Sequence, residues 1–163
     1  MLNAGDLELC FQAMAARLQG IRTENGFQHD VVKVYRSFLL LDALDSLESP
    51  AIMVGRTPGD HSQFEPFDDR GYEVDVPFTI VGFIRRGAFN AEDDDAATRG
   101  EAFLSDLVRL AMADRKWGSP MKGSGCIKDS ILLSGYHTAA YDDSGIQVEL
   151  NGRFTTVTDG VNP

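Results

Sequence analysis

Cysteine is nearly absent from this sequence. Only Cys10 and Cys126 occur in 163 residues, and neither belongs to a second pair or to a set of residues at a metal-ligand spacing. The chain therefore lacks both the disulfide framework of a small secreted protein and a zinc-binding motif. We expect both cysteines to be reduced thiols in the core.

Long apolar runs and basic clusters are also missing. No stretch of about eighteen consecutive apolar residues occurs, and the opening segment MLNAGDLELC lacks the basic and apolar parts of a secretion signal. These absences predict a cytosolic protein without a membrane segment. The 15 Lys+Arg against 25 Asp+Glu give a formal net charge of −10. Such a chain is a poor nucleic-acid binder, because Lys and Arg supply most of the affinity for phosphate.

What is present is the composition of an ordinary globular protein, with 43% hydrophobic and 25% charged residues. Enough apolar side chain exists to offset the entropy of ordering the chain. A chain of this length normally forms one core, and no repeat or linker divides it. We therefore predict a single domain over residues 1–163.

Two segments have the apolar periodicity of helices that are buried on one side. The first runs from about Asp6 to Ile21, and the second opens at Asn90 and ends near Lys116. Apolar residues recur in them at spacings of three and four. The main members are Leu7, Cys10, Phe11, Met14, Leu18 and Ile21 in the first segment, and Phe103, Leu107, Leu110 and Ala111 in the second.

Five further segments are predicted as strands, because they are rich in β-branched and aromatic residues or alternate in polarity. They are Phe27–Phe38, Ala51–Arg56, Tyr72–Arg85, Cys126–Thr138 and Ile146–Val157. Two helices are too few to supply parallel crossovers. The pattern thus predicts an α+β domain with a mostly antiparallel sheet of four to five strands and both helices packed on it. Pro77 predicts an edge position or a bulge within the third strand.

Catalytic motifs are absent from the sequence. There is no Gly-x-Ser-x-Gly nucleophile motif, no phosphate-binding loop and no dinucleotide fingerprint. The three histidines lie far apart, and the consecutive carboxylates Asp93–Asp95 diverge around a helix start, where they complement its dipole. We therefore assign no catalytic residue, no metal ligand and no cofactor, and predict that the chain is not an enzyme.

The succession of elements resembles the tail terminator, or tail completion, proteins of long-tailed bacteriophages. The resemblance is carried by the opening amphipathic helix, the Asn25-Gly26-Phe27 turn leading into a strand, the Pro50–Val54 strand, a long central strand, a second helix and two closing strands. It covers nearly the whole chain. It implies a structural virion protein, assembled in the host cytoplasm and resident in the virion tail.

The resemblance further implies a homo-oligomer, a hexameric ring that ends the growth of the tail tube. The ring's partners would be the tail tube protein and a head-side connector or neck protein. An acidic lumen would let DNA pass without specific binding, because it repels phosphate. Segments 58–70 and 118–125, predicted as a loop and a Gly-rich connection, are the expected contacts. The interface candidates are Phe64, Phe67, Asp68, Asp69, Trp117 and Lys122.

Alternatives remain open at this point. Trp117 could instead cap the second helix against the sheet. The whole protein could be a head-to-tail joining ring in the neck of the virion. It could also be a small metal-dependent enzyme that uses the acidic loop from Asp60 to Asp69, since oxygen-rich loops can hold a hard cation.

Overall fold

The fold is known from a computed structural model. The residues it describes are 5–36, 38, 48–59, 63–68, 71–85, 93–114, 116–117, 127, 132–141 and 145–159. Two α-helices and six strands lie in these ranges. They are α1 (Gly5–Leu18), β1 (Lys33–Tyr35), β2 (Ala51–Arg56), β3 (Gln63–Asp68), β4 (Gly71–Arg85), α2 (Asp93–Ala113), β5 (Leu132–Tyr141) and β6 (Gly145–Asp159).

The strands form one mixed sheet in the order β1-β2-β4-β6-β5, with β3 added beside β4. Only the short β1–β2 pair is parallel, and every other pair of described strands is antiparallel. The α+β class, the largely antiparallel sheet and the two packed helices are therefore confirmed. The bounds of β2 are those predicted, because Pro50 and the Thr57-Pro58-Gly59 breakers flank it.

Both helices cover the same face of the sheet. Contacts run from α1 to β1, β2 and β6, and from α2 to β5 and β6. Alternate residues of β4 and β6 point into this layer, as the period-2 pattern predicts. The core between helices and sheet includes Cys10, Met14, Leu18, Val76, Phe78, Ile80, Phe103, Leu107, Val148, Leu150 and Phe154, all at most 1% exposed. Each such side chain contributes roughly 1.5–3 kcal/mol of transfer free energy.

The position of Pro77 follows from how the strands share the edges of β4. β6 pairs with β4 along its whole length, from Gly71↔Asp159 to Arg85↔Gly145. β2 and β3 must therefore lie along the opposite edge, β2 beside 78–83 and β3 beside 71–75. Pro77 falls in the interval between them. Its carbonyl accepts the Thr57 N–H, while its nitrogen, which carries no hydrogen, faces this side and not β6, so no bond to β6 is lost. This local edge agrees with the prediction.

The first predicted strand is much too long. Of the predicted range Phe27–Phe38, only Lys33–Tyr35 pairs with β2. Just before this range, Thr23–Asn25 forms a 3-10 turn that ends at Gly26, which has a left-handed φ of 86°. Backbone bonds from Phe27 N to Arg22 O and from Val31 N to Ile21 O hold the intervening chain as a closed turn. The Val- and Phe-rich composition suggested a strand, but tertiary contacts of this turn with α2 override it.

The segment between Pro58 and Arg70 was predicted to be a loop, which is wrong for its central part. Residues 63–68 form β3, paired with β4 through Phe64↔Val74 and Asp68↔Gly71. The acidic, proline-containing sequence has no strand period of its own. It becomes a strand because β4 extends beyond the end of β2 and offers a free edge.

Trp117 was an interface candidate, with a cap of the second helix against the sheet as the alternative, and the structure gives a third correction here. Its side chain is 0% exposed and lies edge-on to Phe78 of β4, with ring centroids 6.4 Å apart. The backbone of Trp117 has a φ of 52°, and its N–H donates to Asp114 O at the end of α2. The alternative, a cap of the second helix against the sheet, is therefore confirmed.

Candidate assembly surfaces

The sheet face opposite the helices carries a row of polar side chains from β4 and β6. We call this row the open face, and its residues are Glu73, Asp75, Thr79, Glu149, Asn151 and Arg153. They occupy the positions that alternate with the core residues. None of the helices in the described ranges packs on them.

A directed chain of hydrogen bonds fixes the centre of the open face. Thr79 Oγ1 donates to Asn151 Oδ1 at 2.7 Å, so its one proton is used, and Thr57 Oγ1 must donate to Thr79 Oγ1 at 3.0 Å. Asn151 Nδ2 donates in turn to Glu149 Oε1 at 2.9 Å. The network joins the end of β2 to β4 and β6, and such connected polar groups hold side chains in one arrangement.

The charge of the open face is predominantly negative. Within the set, three carboxylates (Glu73, Asp75 and Glu149) accompany one guanidinium. That guanidinium, on Arg153, donates from Nε to Asp75 Oδ2 at 3.0 Å. Both side chains of this pair are more than a third exposed, so the pair contributes little to stability. The formal net charge of the set is therefore −2.

At one end the polar row gives way to an apolar cluster. Met53, Val81 and Phe83 are at most 8% exposed, and Tyr35 and Phe38 pack against them. The sheet face opposite the helices is thus apolar and covered near β1, and polar near the middle of β4.

A buried carboxylate anchors the Asn25-Gly26 turn to α2. Asp106 is 1% exposed, and its two oxygens accept the backbone N–H groups of Gln28 and His29 at 3.0–3.1 Å. Asp106 Oδ2 also lies 2.8 Å from His29 Nδ1. Hydrogen bonds of this kind satisfy a carboxylate that would otherwise be costly to bury.

Further contacts tighten this anchor. The His29 ring lies on Phe103, with centroids 5.0 Å apart. The Arg109 guanidinium lies 5.5 Å from the centre of the Phe27 ring and donates to Gly26 O. The feature on which the family resemblance depends, the Asn-Gly-aromatic turn, is therefore held rigidly against α2.

Asp30 closes the same turn from its exposed side. Its Oδ1 accepts the Thr23 backbone N–H at 2.8 Å and the Thr23 hydroxyl at 3.1 Å. The hydrogen bond from the Thr23 backbone N–H is the main cause that lowers the pKa of Asp30 below its ordinary value of 3.8. The ionised form is thus the one that the folded turn favours.

Described residues line a surface cleft beside each helix. One, of about 500 Å³, lies between α1 and the end of β2, where Arg36 binds Glu8 in a bidentate pair. The other, which we call the α2 groove, measures about 610 Å³ and runs along the outer side of α2. Met112 lies in the α2 groove and is 71% exposed.

The structure places some of the interface candidates from the sequence and leaves the others outside the described residues. Phe64, Phe67 and Asp68 lie together on β3, at the outer margin of the sheet, and their side chains lie outside what the structure describes. Asp69 and Lys122 are likewise outside the described residues, as are Asp60 and His61 of the acidic loop. Trp117, in the core, is no longer a candidate.

Sequence reasoning missed Asp106 and the open face. A signal for Asp106 did exist, since it stands in the apolar row of α2 at a spacing of three from Phe103 and of four from Leu110. A carboxylate in such a row needs buried partners. The open face had no comparable signal, because its hydrogen-bonded residues come from positions 57, 79 and 149–151.

The described residues contain no group of three or more His, Cys, Asp or Glu side chains that could hold a metal ion. No helix among them is long and apolar enough to cross a membrane. The Thr57 hydroxyl donates to Thr79, and the Thr79 hydroxyl donates to the side-chain amide oxygen of Asn151, an arrangement suited to fixing a surface. No protein-family model matches this chain, and no curated protein matches its sequence.

Proposed function

We propose that this chain is a structural virion protein whose copies form a ring, expected to be hexameric, at the head-proximal end of a phage tail tube. The ring ends tube polymerisation and offers the surface to which the head-side connector or neck joins. The resemblance of the element order to tail terminator proteins supports the proposal. So does the Asn25-Gly26 turn, which takes a defined left-handed conformation.

The observation that carries the proposal is the two-sided sheet. One face is buried under both helices, and the other presents a hydrogen-bonded, net acidic row that no described helix covers. A surface of this kind suits the wall of a DNA passage, because carboxylates repel phosphates. We assign the open face to the lumen of the ring.

Imaging and mass measurement test the ring itself. Electron microscopy and native mass spectrometry of the purified protein, alone and with tail tube protein, should show closed rings and tubes capped at one end. A strict monomer that leaves tube growth unchanged would contradict the proposal. Binding to the connector without binding to tubes would favour a head-to-tail joining ring in the neck instead.

Charge reversal tests the lumen assignment. The double variant Glu73→Lys/Glu149→Lys reverses two carboxylates of the open face. Its matched control, Glu24→Lys/Glu101→Lys, reverses two exposed carboxylates elsewhere. We expect rings of the first variant to retain duplex DNA at low salt and release it as salt rises. Equal retention of DNA by rings of the two variants would show that the open face does not line the lumen.

A further inference from the structure

The sheet ends at β5, whose outer edge has no partner strand among the described residues. β5 spans ten residues and pairs only with β6. Its sequence, LLSGYHTAAY, contains no proline and no Asp, Glu, Lys or Arg. Proteins normally protect such an edge with charged side chains or proline, because its free N–H and C=O groups can pair with another chain.

The other free edges of this sheet carry that protection. β1 has only three residues and begins with the exposed Lys33. β3 contains Glu65, Pro66 and Asp68. Pro66 lies opposite Tyr72, at a position whose backbone points away from β4, so the outer edge of β3 lacks a donor there. Among the described edge strands, β5 is therefore the one without charged side chains or proline.

The direction of each backbone group on β5 follows from one hydrogen bond. Thr57 N donates to Pro77 O at 3.0 Å, so odd-numbered residues of β4 direct their backbone groups towards β2 and even-numbered ones towards β6. Along β6 the odd-numbered residues then face β5. Tyr136 lies opposite Leu150, and its N–H and C=O therefore point outward.

We propose that the outer edge of β5 pairs antiparallel with the same edge of a second copy of this chain. The charge of the chain is the reason for proposing a second copy as the partner of this edge. On a subunit with a net charge of −10, an edge without carboxylates is one that two copies can bring together without opposing like charges. Register shifts flank Gly135–His137, so regular pairing is centred on Tyr136. In the contact, Tyr136 lies opposite Tyr136 of the second copy, and the two residues exchange two N–H···O bonds.

This contact is distinct from those that close a ring. A two-fold β5–β5 contact uses the same surface on both copies, whereas a cyclic ring of six joins two different surfaces. The inference does not rest on the proposed function. Loss of β5 pairing leaves ring formation and tube capping intact, and a failure to cap tubes leaves β5 pairing intact.

The test combines hydrogen exchange with two variants of Tyr136. Tyr136→Pro removes the outward N–H without removing a bond to β6, and edge positions tolerate proline. Tyr136→Thr keeps the amide and changes only the side chain. Native mass spectrometry and sedimentation over a concentration series measure the dimer. We expect Tyr136→Pro to raise its dissociation constant at least about tenfold, because symmetry removes two hydrogen bonds, and Tyr136→Thr to retain it far better.

Hydrogen exchange of the unmodified protein decides the question even if Tyr136→Pro does not fold. The outward amide of Tyr136 should exchange quickly in dilute solution and slowly at concentrations where the dimer forms. The inference is overturned by a protein that stays monomeric at high concentration. It is equally overturned by a dimer in which β5 amides still exchange quickly, or one that Tyr136→Pro does not weaken.

Discussion

Removal of the Asp106 carboxylate should unfasten the Asn25-Gly26 turn from α2. In Asp106→Ala the backbone N–H groups of Gln28 and His29, together with the His29 ring, lose their acceptor. Hydrogen bonds to a charged group contribute about 1.5–3 kcal/mol each, and orphaned buried donors add a desolvation cost. Because the three bonds act as one unit, their effects are not additive. We expect the free energy of unfolding to fall by about 3–5 kcal/mol.

Urea denaturation followed by tryptophan fluorescence measures this loss, since Trp117 is the only tryptophan and is fully buried. The matched control is Glu101→Ala, an exposed carboxylate on the same helix, which should change stability by less than about 0.5 kcal/mol. Asp106→Asn keeps one acceptor and should fall between the two. A loss below about 1 kcal/mol for Asp106→Ala would refute the reasoning that this carboxylate holds the turn.

Three further predictions concern packing, pH and the open face. In Gly82→Ala the added Cβ would lie 2.6 Å from Phe103 Cε1 and 2.9 Å from Val148 Cγ2. We expect a loss of about 1–3 kcal/mol from overpacking in urea denaturation. Asp30 has a lowered pKa, so its contribution to stability is present above 3.8 and is lost as the pH falls through the folded value. The stability difference between the unmodified protein and Asp30→Asn should therefore shrink on acidification. Thr79→Val leaves Thr57 and Asn151 without their partner and should cost about 1–3 kcal/mol. An unchanged urea midpoint for Thr79→Val would contradict this expected loss of stability.

The local elements could be predicted because their signals are local. Cys10, Met14 and Leu18 recur at helical spacing and are all buried in α1, since a helix that packs on one side needs that period. The bounds of β2 follow from flanking breakers. Gly82 interrupts an apolar row of β4 at a point where an added Cβ would lie 2.6 Å from Phe103 Cε1.

The remaining features depended on contacts between distant segments. β3 is a strand because β4 is long enough to pair with it, and no pattern within residues 63–68 shows this. A tryptophan followed by glycine could anchor a partner or fill a core, and only the position of Phe78 placed Trp117 in the core. The open face joins Thr57, Thr79 and Asn151 across up to 94 positions of sequence, the separation between Thr57 and Asn151.

The amino-acid sequence by itself determined the two helices, the strands β2, β4 and β6, and which of their faces are apolar, because these follow from periodicity and breakers over a few residues. Only the tertiary structure decided that Asp106 is a buried anchor, that Trp117 belongs to the core and that no described strand pairs with the outer edge of β5. Each of these depends on which strands become neighbours. Strand order is set by the packing of the whole chain, to which every segment contributes.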